Sequence, residues 1–341
     1  MDGILQVNNT YWPLKDKKWN IPIVPRDDEG FTQSFQADQP KEILQFFDDY
    51  GFVVVNDVVS KDETTKTILE IWNELEKSSN SVLATPAIDY YFQGLEYQRN
   101  NKPQLAQKMF NKAYKIDPQL QNNPPTERKQ MKVDRNDPST WVDALWPGPK
   151  RVGFSEVTVR EQGWKNRENE NIYNIFSLLL GRKDLWVSID RYGIMRPTKN
   201  VPKGKIAPVE CRTNVNVNNE EVEVEDKPEW RTNRAWTHWD LNPWKWTIDV
   251  ENGRAYKYDN LISENNDSVN DGVPKLQGLL ALADSKDEDG GFCAVPGFHK
   301  MLKEWATLTT DTEYYEKSKS IFEIFYLPKE DPLHHELQKV T

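Results

Sequence analysis

His238-Trp239-Asp240 is the triplet whose residue types and spacing could do chemistry in this sequence. On a strand, residues i and i+2 point to the same face, so the imidazole and the carboxylate would stand side by side. That places two protein ligands at adjacent corners of an octahedral ion. A second His from a distant strand would complete a two-His-one-carboxylate face, leaving three open positions for a co-substrate and O₂ on Fe(II). The alternative is a hydrogen-bonded strand pair that holds no ion. His299 would complete a formal triad with His238 and Asp240, although Pro296-Gly297 more naturally puts it at the mouth of such a site. His334 and His335 follow Asp331-Pro332 and read as surface residues.

Trp236, Trp239, Trp244 and Trp246 crowd round the triplet. They are either core packing or the wall of an apolar substrate pocket that excludes water. Arg196, in the run Ile194-Met195-Arg196-Pro197-Thr198, and Arg191 sit beside a strand and are either carboxylate partners or ordinary solvated or ion-paired side chains. Other chemistries have little to work with. There is no Gly-x-Ser-x-Gly elbow and no Gly-Lys-Ser/Thr phosphate loop. Cys211 and Cys293 are too few for a disulfide framework or a thiolate zinc site.

The elements that must position these residues can be read in outline. Residues 1–39 form a mixed polar, Trp- and Pro-containing arm. Gln39-Pro40 opens a helix over Lys41–Tyr50, and Gly51 stops it. Phe52–Val55 is a short β-branched run, and Ser60 caps a helix from Lys61 to about Lys77. A third helical signal follows at Asn169–Leu180. After it, short segments at Leu185–Ile189, Val215–Val217, Glu221–Val224, Ala235–His238, Leu276–Ala283 and Phe292–Val295 read as strands of an antiparallel barrel or sandwich.

Ala87 to Pro118 is different. Gly94, Tyr97, Ala106, Phe110, Ala113 and Pro118 fall on the signature positions of one tetratricopeptide-like repeat, with Tyr90 in the usual Trp slot. Gly94 and Ala106 are small where two antiparallel helices would cross. An ordinary amphipathic helical hairpin inserted over residues 81–123 fits the same residues, since a single repeat cannot form an array. The outward face of the 87–118 hairpin is the expected contact for a protein partner.

Composition narrows the setting. The 54 acidic residues exceed the 44 basic ones, for a net charge of −10, which disfavours nucleic acid or an anionic membrane as partner. Thirteen each of Trp, Tyr and Phe argue for a packed core rather than a disordered chain. No apolar run approaches the ~18 residues of a membrane span, and the first residues lack the pattern of a secretory leader. These features predict a reduced, cytoplasmic setting.

Several segments, in order, resemble the phytanoyl-CoA dioxygenase family of non-haem iron, 2-oxoglutarate-dependent oxygenases. They are Phe46–Val55, the His238-Trp239-Asp240 triplet, Leu276–Leu282, and Gly290-Gly291-Phe292-Cys293-Ala294-Val295-Pro296-Gly297-Phe298-His299. The resemblance implies a mainly β fold with flanking helices: a double-stranded β-helix (a cupin-like jelly roll) over residues 40–341, interrupted by the α-hairpin. It implies Fe(II) on His238 and Asp240, with His299 as the candidate third ligand. It further implies 2-oxoglutarate as co-substrate, with Arg196 as the candidate carboxylate partner. Trp236, Trp239, Trp244 and Gln277 would line a pocket for a small or lipid-like substrate hydroxylated at an aliphatic C–H.

The family pattern also expects a distal His on a Gly-led strand and an Arg beyond it. No Arg follows Arg254, and the sequence reaches Thr341 without that strand. Weak Fe(II) and 2-oxoglutarate binding is therefore expected of this chain. The competing expectation is a non-catalytic relative that acts as a structural module and docks through the hairpin.

Overall fold

Proline and glycine set the first helix. Pro40 has the fixed φ suited to the first turn, and Gly51 takes φ 79° so that its amide donates to the Phe47 carbonyl at 2.8 Å. In the computed structural model, residues 12–78, 81–82, 86–124, 130–143, 145–147, 153, 160–185, 187–208, 222–231, 237–249, 276–286, 289–319 and 324–341 are described. The helices among them are α1 (Pro40–Tyr50), α2 (Lys61–Ser78), α3 (Pro86–Arg99), α4 (Pro103–Ile116), α5 (Glu161–Arg167), α6 (Glu170–Leu180), α7 (Leu302–Leu308) and α8 (Glu313–Ser318). Asn169 caps α6, its side chain accepting from the Asn171 and Ile172 amides, and Gly181 closes the helix at φ 67°.

Strands among the described residues are two residues long and pair only two by two. Ser34–Phe35 lies parallel to Val54–Val55. The antiparallel pairs are Ser81–Val82 with Gln130–Met131, Val201–Pro202 with Val224–Glu225, His238–Trp239 with Phe325–Tyr326, and Cys293–Ala294 with Gln338–Lys339. The expected mainly β jelly roll is therefore corrected: of the described residues 43% are helical and 8% are in strands, and no sheet among them closes.

The physical reason lies in the ladders. Closing a β-helix takes strands of about five or six residues with partners on both edges. Leu276–Leu280 is instead without a ladder partner, and Leu279 is 78% exposed. The described positions of Leu185–Ile189 also form no strand, while Val215–Val217 lies outside the described residues.

The chain divides into two compact units, one of residues 1–61, 164–188 and 233–341, the other of residues 62–163 and 189–232. Packed rings fill the first unit's core. Trp244, Trp305 and Phe325 are buried among Trp12, Leu14, Phe298 and Leu333, with the Trp244 and Phe325 rings 4.7 Å apart, edge to face. A second cluster joins Ile43 and Phe46 of α1 to Val24, Phe35 and Ile175 of α6. Trp12, Leu14, Val24 and Phe35 thus bring the arm into the core, although the backbone over residues 12–39 is mostly irregular. Thr341 is held in place as well: its amide donates to Thr32 Oγ1 at 3.1 Å.

In the second unit, Trp72, Trp141 and Trp146 pack together, and Arg135 makes a bidentate pair with Glu76. The hairpin α3–α4 buries Ala87, Tyr91, Ala106 and Ala113 along its seam. A Cβ on Gly94 would stand 2.6 Å from the Phe110 ring, so the close helix approach depends on glycine there. Gly94→Leu is expected to destabilise the hairpin by about 1–3 kcal/mol through overpacking. Amide hydrogen exchange in α3 and α4 reads this directly, and unchanged protection would show that the helices do not cross at this residue.

Candidate functional site

The site is built on the strand pair His238–Trp239 and Phe325–Tyr326, with His238 opposite Tyr326 and Trp239 opposite Phe325. A further bond, from the Leu327 amide to the Thr237 carbonyl at 2.9 Å, extends the pairing. Alternation decides which side chains are buried. Trp239 turns into the core, 4.9 Å from the Trp305 ring and 6.0 Å from that of Phe325. His238 and Asp240 flank it on the opposite, partly solvated face, with side chains 22% and 44% exposed.

Asn242 fixes the turn that follows. It is buried, its Oδ1 accepts from the Trp244 and Lys245 amides at 3.2 Å, and its Nδ2 donates to the Ser318 carbonyl at 2.8 Å. The chain leaving Asp240 is thereby pinned to the end of α8. This residue was not singled out in the sequence, though Asn242-Pro243 is a helix-start signal that points to it.

His238 Nε2 lies 3.1 Å from Asp240 Oδ1, and the His238 ring sits 5.7 Å from that of Tyr326. Gln277 Nε2 donates to Asp240 Oδ2 at 2.9 Å. Gln277 was expected to line a substrate pocket; its amide is found on the carboxylate. The spacing of the pair bears on metal binding. Two ligands at bonds of about 2.1 Å on cis corners of one octahedral ion stand about 3.0 Å apart. The observed 3.1 Å fits two such corners without movement. The same distance also fits a direct hydrogen bond from an imidazole N–H, and either state holds the two side chains together. No group of three or more His, Cys, Asp or Glu able to hold an ion is found among the described residues.

The other sequence candidates lie as follows. His299 follows Gly297, which takes φ 70° and donates its amide to the Tyr50 carbonyl at 2.8 Å. Its Nε2 lies 2.9 Å from the Asp48 carbonyl, which can only accept, so the nitrogen donates. The ring rests on the end of α1, where a Cβ on Gly51 would come within 2.5 Å of Nδ1. Burial pushes its pKa below the ordinary imidazole value, partly offset by its bond to Asp48, so the ring is neutral near pH 7.

Trp244 is fully buried and donates its indole N–H to the Ala306 carbonyl and to Thr309 Oγ1. Trp236 lies outside the described residues. Arg196 belongs to the second unit, where its guanidinium donates to the Trp141 carbonyl and to Asp143 and lies 4.8 Å from the Trp230 ring. No helix among the described residues is long and apolar enough to cross a membrane.

A protein of Dictyostelium discoideum named "Putative phytanoyl-CoA dioxygenase" is 27% identical to this chain over 322 residues, covering 85% of this chain and 69% of its own length. No family model matches the chain. No solved structure matches it either. The similarity supports a dioxygenase-like relationship.

Proposed function

We propose that this chain is a phytanoyl-CoA dioxygenase-like protein of the Fe(II)- and 2-oxoglutarate-dependent type, with His238 and Asp240 as its metal ligands. The observation that carries the reading is the 3.1 Å separation of His238 Nε2 and Asp240 Oδ1 on the solvated face of one strand. The pair supplies two corners of an octahedron and leaves the remainder to water or to a chelating 2-oxo acid. When bound, ferrous iron with 2-oxoglutarate and O₂ would supply the oxidation of an aliphatic C–H bond.

The chain's own residues do the positioning. Trp239 anchors the strand by its rings, Asn242 fixes the turn after Asp240, and the tilted Tyr326 ring lies beside the imidazole. Tyr326 is 42% exposed and offers an apolar surface beside the ligand pair, which suits a substrate with an apolar body.

Thermal unfolding tests the reading, because a ligand that binds only the folded state raises Tm by mass action. Under anaerobic conditions, Mn(II) together with 2-oxoglutarate is expected to raise Tm more than the sum of either alone. That excess should vanish in His238→Ala. A 2-oxoglutarate effect that needs no metal, or one that persists in His238→Ala, would overturn the assignment.

A further inference from the structure

The two oxygens of Asp240 are used differently. Oδ1 faces His238 Nε2 at 3.1 Å, while Oδ2 accepts a hydrogen bond from Gln277 Nε2 at 2.9 Å. Both carboxylate oxygens can only accept when ionised, so the Gln277 amide must present its N–H₂ end. Gln277 is 37 positions from Asp240 in sequence, on a segment with no ladder partner. Its approach is set by the next residue. A Cβ on Gly278 would stand 2.8 Å from the Phe176 ring of α6, so glycine lets this segment lie flat against the helix. Gln277, the residue before that contact, reaches the carboxylate with its amide.

We infer that Gln277 is a positioning residue that makes Asp240 a one-oxygen ligand, holding Oδ2 aside so that Oδ1 alone faces the position shared with His238. The inference rests on the reading that His238 and Asp240 bind a divalent ion. A free carboxylate can bind such an ion through one oxygen or both. Binding through both occupies a further corner, and an oxygenase-type ion needs its corners open for a chelating co-substrate and O₂. With the amide on Oδ2, two protein ligands leave four positions of an octahedron to solvent. Without it, the second oxygen is released and takes one of them. Partners of this kind around a metal ligand commonly change metal affinity or activity by about 10–100-fold. This hydrogen bond is exposed to solvent, which puts its effect at the lower end.

The test uses the full chain loaded with Mn(II) and compares wild type with Gln277→Met, which keeps the side-chain length and removes the donor. Water-proton relaxation counts metal-bound waters, and Mn(II) electron paramagnetic resonance reports the symmetry of the site. Gln277→Met is expected to lose one exchangeable bound water, a fall of about a quarter in inner-sphere relaxivity, with an altered resonance line shape and an unchanged Tm without metal. A purely structural role would change Tm and leave the water count as in wild type. Identical water counts and line shapes in the two proteins would overturn the inference while leaving the ligand pair intact. Binding that is equally tight in wild type and Asp240→Ala, or no binding in wild type, would instead bring down the metal reading and this inference together.

Discussion

Asp331→Ala is expected to lower the stability of the chain by about 3–5 kcal/mol, an effect near the top of the range for single substitutions. Asp331 is 1% exposed. Its Oδ2 accepts from the indole N–H groups of Trp12 at 3.1 Å and Trp305 at 2.8 Å, and its Oδ1 accepts from the Leu333 amide at 2.9 Å. Alanine would leave three donors unsatisfied at a buried position, at about 1–3 kcal/mol each, and local relaxation recovers part of that. It would also release Trp12, and with it the N-terminal arm, from the first core cluster. Asp331→Asn keeps one acceptor oxygen and should cost less. Urea unfolding followed by tryptophan fluorescence measures both; a loss under 1 kcal/mol for Asp331→Ala would show that the arm is held by packing alone.

The same carboxyl gives a pH dependence whose sign is fixed. Burial outweighs the three donors and the nearby His334, and holds the pKa of Asp331 above the ordinary aspartate value of 3.8. Between 3.8 and the raised value the folded chain binds more protons than the unfolded one. This group's contribution to stability therefore declines as pH rises through that window and levels off above it.

His238→Ala is expected to weaken Mn(II) or Fe(II) binding by more than about 100-fold, equivalent to roughly 2.7 kcal/mol. Removing a hydrogen-bonded neighbour of a ligand already costs about 10–100-fold, and losing one of two ligands must cost more. Asp240→Ala should behave in the same way. Because His238 and Asp240 lie on the solvated face, and the strand is anchored by Trp239 in the core, far-UV circular dichroism should not change. Equal affinities in wild type and both variants would place the metal elsewhere. With two protein ligands among the described residues, wild-type affinity should itself be weak. Conversion of 2-oxoglutarate to succinate without substrate is expected to be undetectable under aerobic Fe(II) and ascorbate. Succinate formation that His238→Ala abolishes would show that a third ligand completes the site.

Local interactions were legible in the sequence. The limits of α1 follow from Pro40 and Gly51, those of α6 from Asn169 and Gly181, and the close helix approach in the hairpin from Gly94. In each case the hydrogen bonds or steric contacts that decide the element lie within a few turns of chain. The pairing of His238 with Asp240 was legible for the same reason, since strand alternation alone places residues i and i+2 together.

Strand partners were not legible. A β-branched run favours extended backbone but carries no address for its neighbour, and the partner of His238 is Tyr326, far along the chain. Leu276–Ala283 thus reads as a strand yet lies unpaired. Gln277 could be noted beside the family motif, but its bond to Asp240 depends on how Gly278 seats against α6. The clearest case is Asp331. Asp331-Pro332 reads as a surface turn, and it is one in backbone, where Asp331 caps the turn Pro332–His335. Only the tertiary structure brings Trp12, 319 residues away, onto the same carboxylate and buries it. Burial is a property of what the rest of the chain packs on top, and no local pattern at residue 331 encodes it.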